Sequence, residues 1–424
     1  MKGATMDMTT LDEAIGVLDS IYQHRKTHPT FLSEELYYEL VRDYFQRVRT
    51  AGEEGKYVGA FSIAIPTEIL HAMGIVPMSI EGLPMMIATT LNRYEEGFSA
   101  ARGYGMASEI CSSHRYAVGT SLLGWLPHPD FVIWSNMVCD NTVKCGDFFV
   151  ERYNAAPFFL DRPYRYTERE VQYLTQELED MVHFLEEQTK QKMDWDKLSE
   201  VVEYSRQGVE LQREIYKLRK AVPEPARNRL FIQIFTMITL YGGSPDCIPY
   251  LKATRDELKE RVENKQGFAP KENFRLLSLF VPNMSSLKLL DWMEREHGAV
   301  IVADPYISHW GEGKMDPSRP LESIARKLYD IPACRMMHGP MEDGVIQDSV
   351  NDAIDYKAEG AVYFAHTGCR QACATIRSVK DALKEQADIP TVVIDIDVMD
   401  PTFTTEEEVK GKLEAFFELL EDRK

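Results

Sequence analysis

The residues best able to do chemistry are seven cysteines: Cys111, Cys139, Cys145, Cys247, Cys334, Cys369 and Cys373. None forms a C-x-x-C pair, so zinc ribbons and thioredoxin-like redox motifs are not indicated. The clustered cysteine run of bacterial ferredoxins is also absent. Position is more informative than spacing. Cys139 lies a few residues beyond the apolar run Phe131-Val-Ile-Trp134 and precedes a helical stretch. Cys369 stands in the same relation to Gly360-Ala-Val-Tyr-Phe364. In open parallel sheets, ligands bind just beyond the carboxyl ends of strands. Two cysteines in equivalent strand-to-helix turns, one per half of the chain, are placed to face a cleft. Cys111 begins Cys-Ser-Ser-His114 within a segment read as helical from Gly105 to Leu122. Helix N-terminal turns stabilise thiolates and anionic clusters. Free cysteines also fill cores as small hydrophobes, and spacing alone leaves both readings open.

Other candidates are individually weaker. Glu68, in Ile65-Pro-Thr-Glu-Ile-Leu-His71, falls on the first helical turn after a strand. A carboxylate there serves either the exposed helix N–H groups or acid–base chemistry at a strand end. Asp395 and Asp397 close another apolar run, as ligand holders or as loop polarity. His366 precedes Cys369 by three residues, and Ser308–Lys314 mixes Trp310 with polar groups and glycine. Gly242-Gly-Ser-Pro245 lacks the Lys-Ser/Thr ending of a phosphate loop. No G-x-G-x-x-G, G-x-S-x-G or H-E-x-x-H occurs, so dinucleotide binding and two common hydrolase chemistries have no support.

The elements that must position these groups follow from periodicity. Residues 1–55 read as an N-terminal helical region. Residues 56–166 alternate strand and helix as a first α/β domain. Residues 167–270 carry helical periods, opened by capping-box spacing at Thr167–Glu170, and end in a linker. Residues 271–424 alternate again as a second α/β domain, with a weak architectural echo of the first. The fold class is α/β: two parallel sheets with a helical layer between the halves of the chain. The 424 residues carry 48 Lys+Arg and 67 Asp+Glu, a formal charge of −19. That charge repels phosphate, so nucleic acid and anionic membrane surfaces are not expected partners. No apolar run is long enough to span a bilayer, and the first residues lack a signal-peptide pattern. A cytoplasmic protein without structural disulfides is expected.

Several motifs together resemble a known family. They are Pro66-Thr-Glu-Ile-Leu-His-Ala-Met-Gly-Ile-Val-Pro77, Ala101-Arg-Gly-Tyr through Ile110-Cys-Ser-Ser-His-Arg115, Pro129-Asp-Phe-Val-Ile-Trp through Val138-Cys-Asp-Asn-Thr-Val-Lys144, and Ala365-His-Thr-Gly-Cys369 followed by Ile394-Asp-Ile-Asp397. They resemble the 2-hydroxyacyl-CoA dehydratase and benzoyl-CoA reductase family from about Gly59 to the C-terminus. The resemblance implies two Rossmann-like domains and one [4Fe–4S] cluster held by Cys111, Cys139 and Cys369, with one iron left open. Cys145 and Cys373 are then neighbours of ligands, and Cys247 and Cys334 match no motif and are expected in the core.

The activity implied is that of a lyase. Water leaves a 2-hydroxyacyl-CoA, giving a 2-enoyl-CoA, through a ketyl radical started by one electron. The resemblance further implies an ATP-dependent iron–sulfur activator protein as electron donor. It implies a second related subunit, so that this chain is half of a heterodimer. Glu68 is the candidate for proton handling near the leaving hydroxyl. The alternatives are a subunit of an ATP-dependent benzoyl-CoA reductase and an iron–sulfur electron carrier without substrate turnover.

Overall fold

Eight short apolar runs, rich in Val, Ile, Phe and Ala, form two four-stranded parallel sheets. The structure is a computed structural model and describes residues 6–308, 310–311 and 314–424. The chain divides into two units. The first comprises residues 1–210, 236–253 and 312–330, and the second residues 211–235, 254–311 and 331–424. The stretch 167–270, read from sequence as one helical segment, is thus divided between them.

The first unit opens with two helices of equal length, α1 (Thr9–Thr27) and α2 (Leu32–Thr50), joined by a short turn. β1 (Val58–Phe61), α3 (Thr67–Ala72) and β2 (Val76–Ser79) follow. Next come α4 (Gly82–Leu91), α5 (Glu95–Tyr104) and α6 (Ser112–Leu123). β3 (Phe131–Ser135), α7 (Asp140–Tyr153) and β4 (Ala156–Leu160) complete its sheet, in the order β2-β1-β3-β4. β1, β2 and β3 are buried throughout, as strands covered by helices on both faces must be. β4, at the edge, alternates exposed and covered positions. The long helices α8 (Glu168–Thr189), α9 (Trp195–Leu218), α10 (Leu230–Tyr241) and α11 (Cys247–Glu263) follow. Thr167 does stand at the N-cap of α8, but its side chain makes no capping hydrogen bond.

The second unit repeats the sheet plan. β5 (Phe274–Leu279), α12 (Lys288–Glu296), β6 (Ala299–Ala303) and the short α13 (Pro305–Ser308) come first. α14 (Pro320–Asp330) belongs to the first unit and packs on α8. The second unit resumes with α15 (Pro332–Met337), a π-helical turn (Glu342–Gln347), α16 (Asp348–Asp355), β7 (Gly360–His366), α17 (Arg370–Ala387), β8 (Thr391–Ile396) and α18 (Glu406–Glu421). Its sheet order is β6-β5-β7-β8. Counted within each half, both orders are second-first-third-fourth. The sequence echo is therefore a shared topology. A complete capping box forms at the start of α18, between Thr405 and Glu408.

Candidate iron–sulfur site

In a sheet of order second-first-third-fourth, the chain leaves the first strand toward one edge and returns to the other side of it. The crevice lies at the carboxyl ends of the first and third strands. In the first unit those ends are Phe61 and Ser135; in the second they are Leu279 and His366. Cys139 follows β3 and is the N-cap of α7. Cys369 follows β7 and is the N-cap of α17. The two cysteines occupy equivalent positions in the two halves. Backbone strain marks the turns after the first strands: Ala64, after β1, has φ 72°, and Phe280, after β5, has φ 64°. Non-glycine residues are held in that region only when the surroundings enforce it, and such residues concentrate at functional sites.

Cys111 differs from its sequence reading. The helix does not begin at Gly105 but at Ser112, and Cys111 is its N-cap. Glycine in the left-handed conformation at position 105 ends α5 instead. All three cysteines therefore sit at the positive ends of helices, where a thiolate is favoured.

Exposure sorts the seven cysteines, none of which is in a disulfide. Cys111, Cys139 and Cys369 are half-buried; Cys145, Cys247 and Cys334 are buried, and Cys373 is exposed. Burial pushes the Cys145 thiol far up and holds Cys247 up at about 12, so neither ionises readily. Burial also lifts Cys139, opposed by a hydrogen bond with the Thr142 hydroxyl at 3.2 Å. Cys369 Sγ accepts from the Ala372 N–H at 3.5 Å. Cys373, one turn on, donates to the His366 carbonyl at 3.3 Å. The His366 ring accepts at Nδ1 from the Val398 N–H at 3.2 Å, so its proton resides on Nε2. Asp397 accepts from the N–H groups of Met399 and Asp400, which makes it a turn-former, and Asp395 is exposed. Trp310 is buried, while His309, Glu312 and Gly313 of its loop lie outside the described residues.

Cys111 and Cys139 in the first unit, and Cys369 in the second, are each a partly accessible thiol outside any disulfide at a helix N-terminus, the donor type that iron–sulfur clusters take. Among the described residues, no three His, Cys, Asp or Glu side chains gather as they would around a single metal ion.

Glu68 is fully buried on the first turn of α3. Its Oε1 accepts from the Lys327 ammonium, on α14, and from Ser205 Oγ, on α9, at 2.6 Å. Burial alone would lift this carboxyl, but Lys327, by charge and hydrogen bond, and Ser205 outweigh it and hold it below the usual range. Its Oε2 has no hydrogen-bond partner. Gly243, at φ 81°, packs so tightly that a Cβ there would strike the Glu68 side chain. The Gly-Gly pair at 242–243 thus serves close packing, with Thr67 Oγ1 donating to the Gly242 carbonyl at 2.8 Å. Sequence reasoning misses Lys327, Ser205 and Gly243, since nothing local to them signals a contact with Glu68.

Comparison with known proteins decides among the families compatible with this geometry. The model of the family described as 2-hydroxyglutaryl-CoA dehydratase, D-component, matches residues 62–420. The chain belongs to that family. Among its relatives is a benzoyl-CoA reductase subunit from Thauera aromatica, 23% identical over 317 residues, covering 70% of this chain and 72% of that one. The (R)-phenyllactyl-CoA dehydratase alpha subunit of Clostridium sporogenes is 20% identical over 386 residues, covering 88% and 92%. The (R)-2-hydroxyisocaproyl-CoA dehydratase alpha subunit of Clostridioides difficile is 19% identical over 402 residues, covering 91% and 95%. The family match spans every cysteine turn described above. Among the described residues, no helix of this dehydratase-family chain is long and apolar enough to cross a membrane.

Proposed function

We propose that this chain is the [4Fe–4S]-bearing subunit of a 2-hydroxyacyl-CoA dehydratase, a lyase that eliminates water from a 2-hydroxyacyl-CoA to give a 2-enoyl-CoA. The observation that carries this reading is the equivalence of Cys139 and Cys369. Each is the N-cap just beyond the third strand of its sheet, with Cys111 at a third N-cap. These three residues would hold the cluster. Bound there, it supplies one-electron chemistry and a Lewis-acidic iron left open by a three-cysteine ligand set. The helix N-termini stabilise the negative charge on the ligand sulfurs. Glu68, held ionised with Oε2 unpartnered, is the chain's own candidate to take or return a proton. Two relatives of similar length are alpha subunits of dehydratases, which supports a second, related subunit as partner. The electron donor in this reading is an ATP-dependent iron–sulfur activator, and the working compartment is the cytoplasm.

A second reading rests on the Thauera relative: a subunit of a benzoyl-CoA reductase, with electrons entering an aromatic ring. Anaerobically purified protein, alone and with a co-expressed partner, is assayed for iron and sulfide. It is then supplied with reduced activator and either a 2-hydroxyacyl-CoA or benzoyl-CoA. Enoyl-CoA formation supports the dehydratase, and ring reduction replaces it with the reductase. A cluster without turnover of either ester makes the chain an electron carrier. Protein that never acquires iron under reconstitution overturns all three.

A further inference from the structure

Buried polar groups lie in sequence between the turn after β1 and the Cys139 sulfur, and those at the sulfur end are hydrogen-bonded. The Ile63 N–H donates to Glu81 Oε2 at 3.0 Å. Glu81 Oε1 lies 3.4 Å from His114 Nε2. The same His114 nitrogen lies 3.4 Å from Thr142 Oγ1, which is 3.2 Å from Cys139 Sγ. Glu81, His114 and Thr142 are all buried. They come from the N-cap of α4, the first turn of α6 and the first turn of α7.

The direction of the hydrogen bonds follows from chemistry. A cysteine that ligates iron is a thiolate and can only accept, so the Thr142 hydroxyl must donate to it. Its oxygen is then left to accept, and His114 Nε2 is the donor facing it. His114 Nδ1 is buried without a partner, which fits a ring whose proton sits on Nε2. Glu81 Oε1, 3.4 Å from the same nitrogen, makes no hydrogen bond, so the single Nε2 proton is left to Thr142.

We infer that Thr142, oriented by His114, is a positioning residue that donates a hydrogen bond to the Cys139 ligand sulfur and raises the reduction potential of the cluster. The inference rests on the cluster reading above. Hydrogen bonds to ligand sulfurs withdraw charge and favour the reduced state, and they are among the determinants of cluster potential. A cluster that must accept an electron gains from such a bond. The Cys369 sulfur accepts from the Ala372 backbone N–H, a donor that no side-chain substitution deletes; the Thr142 hydroxyl is one that a single substitution removes.

The test is a redox titration of the anaerobically reconstituted protein, followed by electron paramagnetic resonance, for the parent, Thr142→Val, Thr142→Ser and His114→Phe. Valine keeps the shape of threonine and removes the hydroxyl. Iron content near that of the parent with a midpoint shifted to more negative potential is expected for Thr142→Val. Thr142→Ser should return it toward the parent, and His114→Phe should shift it the same way as valine by less. Midpoints of Thr142→Val and His114→Phe equal to the parent's, with iron retained, overturn the inference. If Thr142→Val fails to fold, Thr142→Ala, which also removes the hydroxyl, and His114→Phe decide in the same way. A parent that takes up no iron is a distinct result: it sinks the cluster reading itself.

Discussion

Lys327 reaches back across 259 residues of chain to place its ammonium on the buried Glu68 carboxylate. Both groups belong to the first unit, and Ser205 shares the same carboxylate oxygen. Together the three residues fasten α14 and α9 to the first turn of α3. Removing one partner strands a buried charge, which typically costs about 3–5 kcal/mol, whereas removing both is far milder. Lys327→Met is therefore expected to lower the thermal midpoint markedly. The double variant with Glu68→Gln is expected to recover most of the loss. Calorimetry of the single and double variants checks this; strictly additive losses would mean that the two groups are not coupled.

Proton binding at His71 gives stability a defined pH dependence. Burial holds this ring down to about 4, with Glu68 and Asp246 opposing and Arg47 and Lys327 assisting. An unfolded histidine titrates near 6.5. Between those values the unfolded chain binds the proton that the folded chain refuses, so stability falls as pH drops from about 6.5 to about 4. The loss should be on the order of 1–2 kcal/mol, less than the full shift implies because part of the residue meets solvent. Glu68, held low, adds a separate loss that begins below its unfolded value of about 4.3. His71→Gln is expected to flatten the upper window and leave the lower one. Melting curves across about pH 4–7 measure it, and an unchanged slope in His71→Gln would assign the dependence to other groups.

What is legible in the sequence follows the range of the interactions concerned. All eight strands fall on apolar runs, because parallel strands buried on both faces leave a contiguous signature. The cysteine turns are legible for the same reason: a strand end and a helix start are both local. Thr167 illustrates the limit, since its capping-box spacing yields an N-cap without the side-chain bond, while Thr405, which carries no stronger local signal, forms the full box. α4 and α5 escape a periodicity reading because each is only 10 residues long, with a short apolar face. The partners of Glu68 and the contact between His114 and Thr142 join residues from separate elements, and no periodicity encodes such contacts.

Close helix packing behind Cys111 is open to a direct test. α5 and α6 cross where Gly97 meets Gly119, and a Cβ on Gly119 would collide with the Gly97 carbonyl oxygen. Backbone cannot give way as a flexible side chain would. Gly119→Ala should destabilise the protein by about 1–3 kcal/mol or more, as overpacking does. Because α6 carries Cys111 at its N-cap, the same variant should retain less iron after reconstitution. Gly103→Ala, at a position with open space around it, is the control and should leave both properties near the parent's. Equal iron content and melting behaviour in the two variants would show that the crossing tolerates separation.

The division of the seven cysteines makes the sharpest forecast. Alanine at Cys111, Cys139 or Cys369 removes the sulfur at a helix N-cap and should abolish or sharply reduce iron binding, measured as iron and sulfide per chain against about four of each in the parent. Alanine at Cys247 or Cys334 removes only a buried side chain and should cost stability while leaving iron content intact. Cys373→Ser, at an exposed site whose thiol donates to the His366 carbonyl, should change neither appreciably. Iron loss at Cys373 or Cys145, with retention at Cys369 or Cys139, would move the ligand set along the same helices.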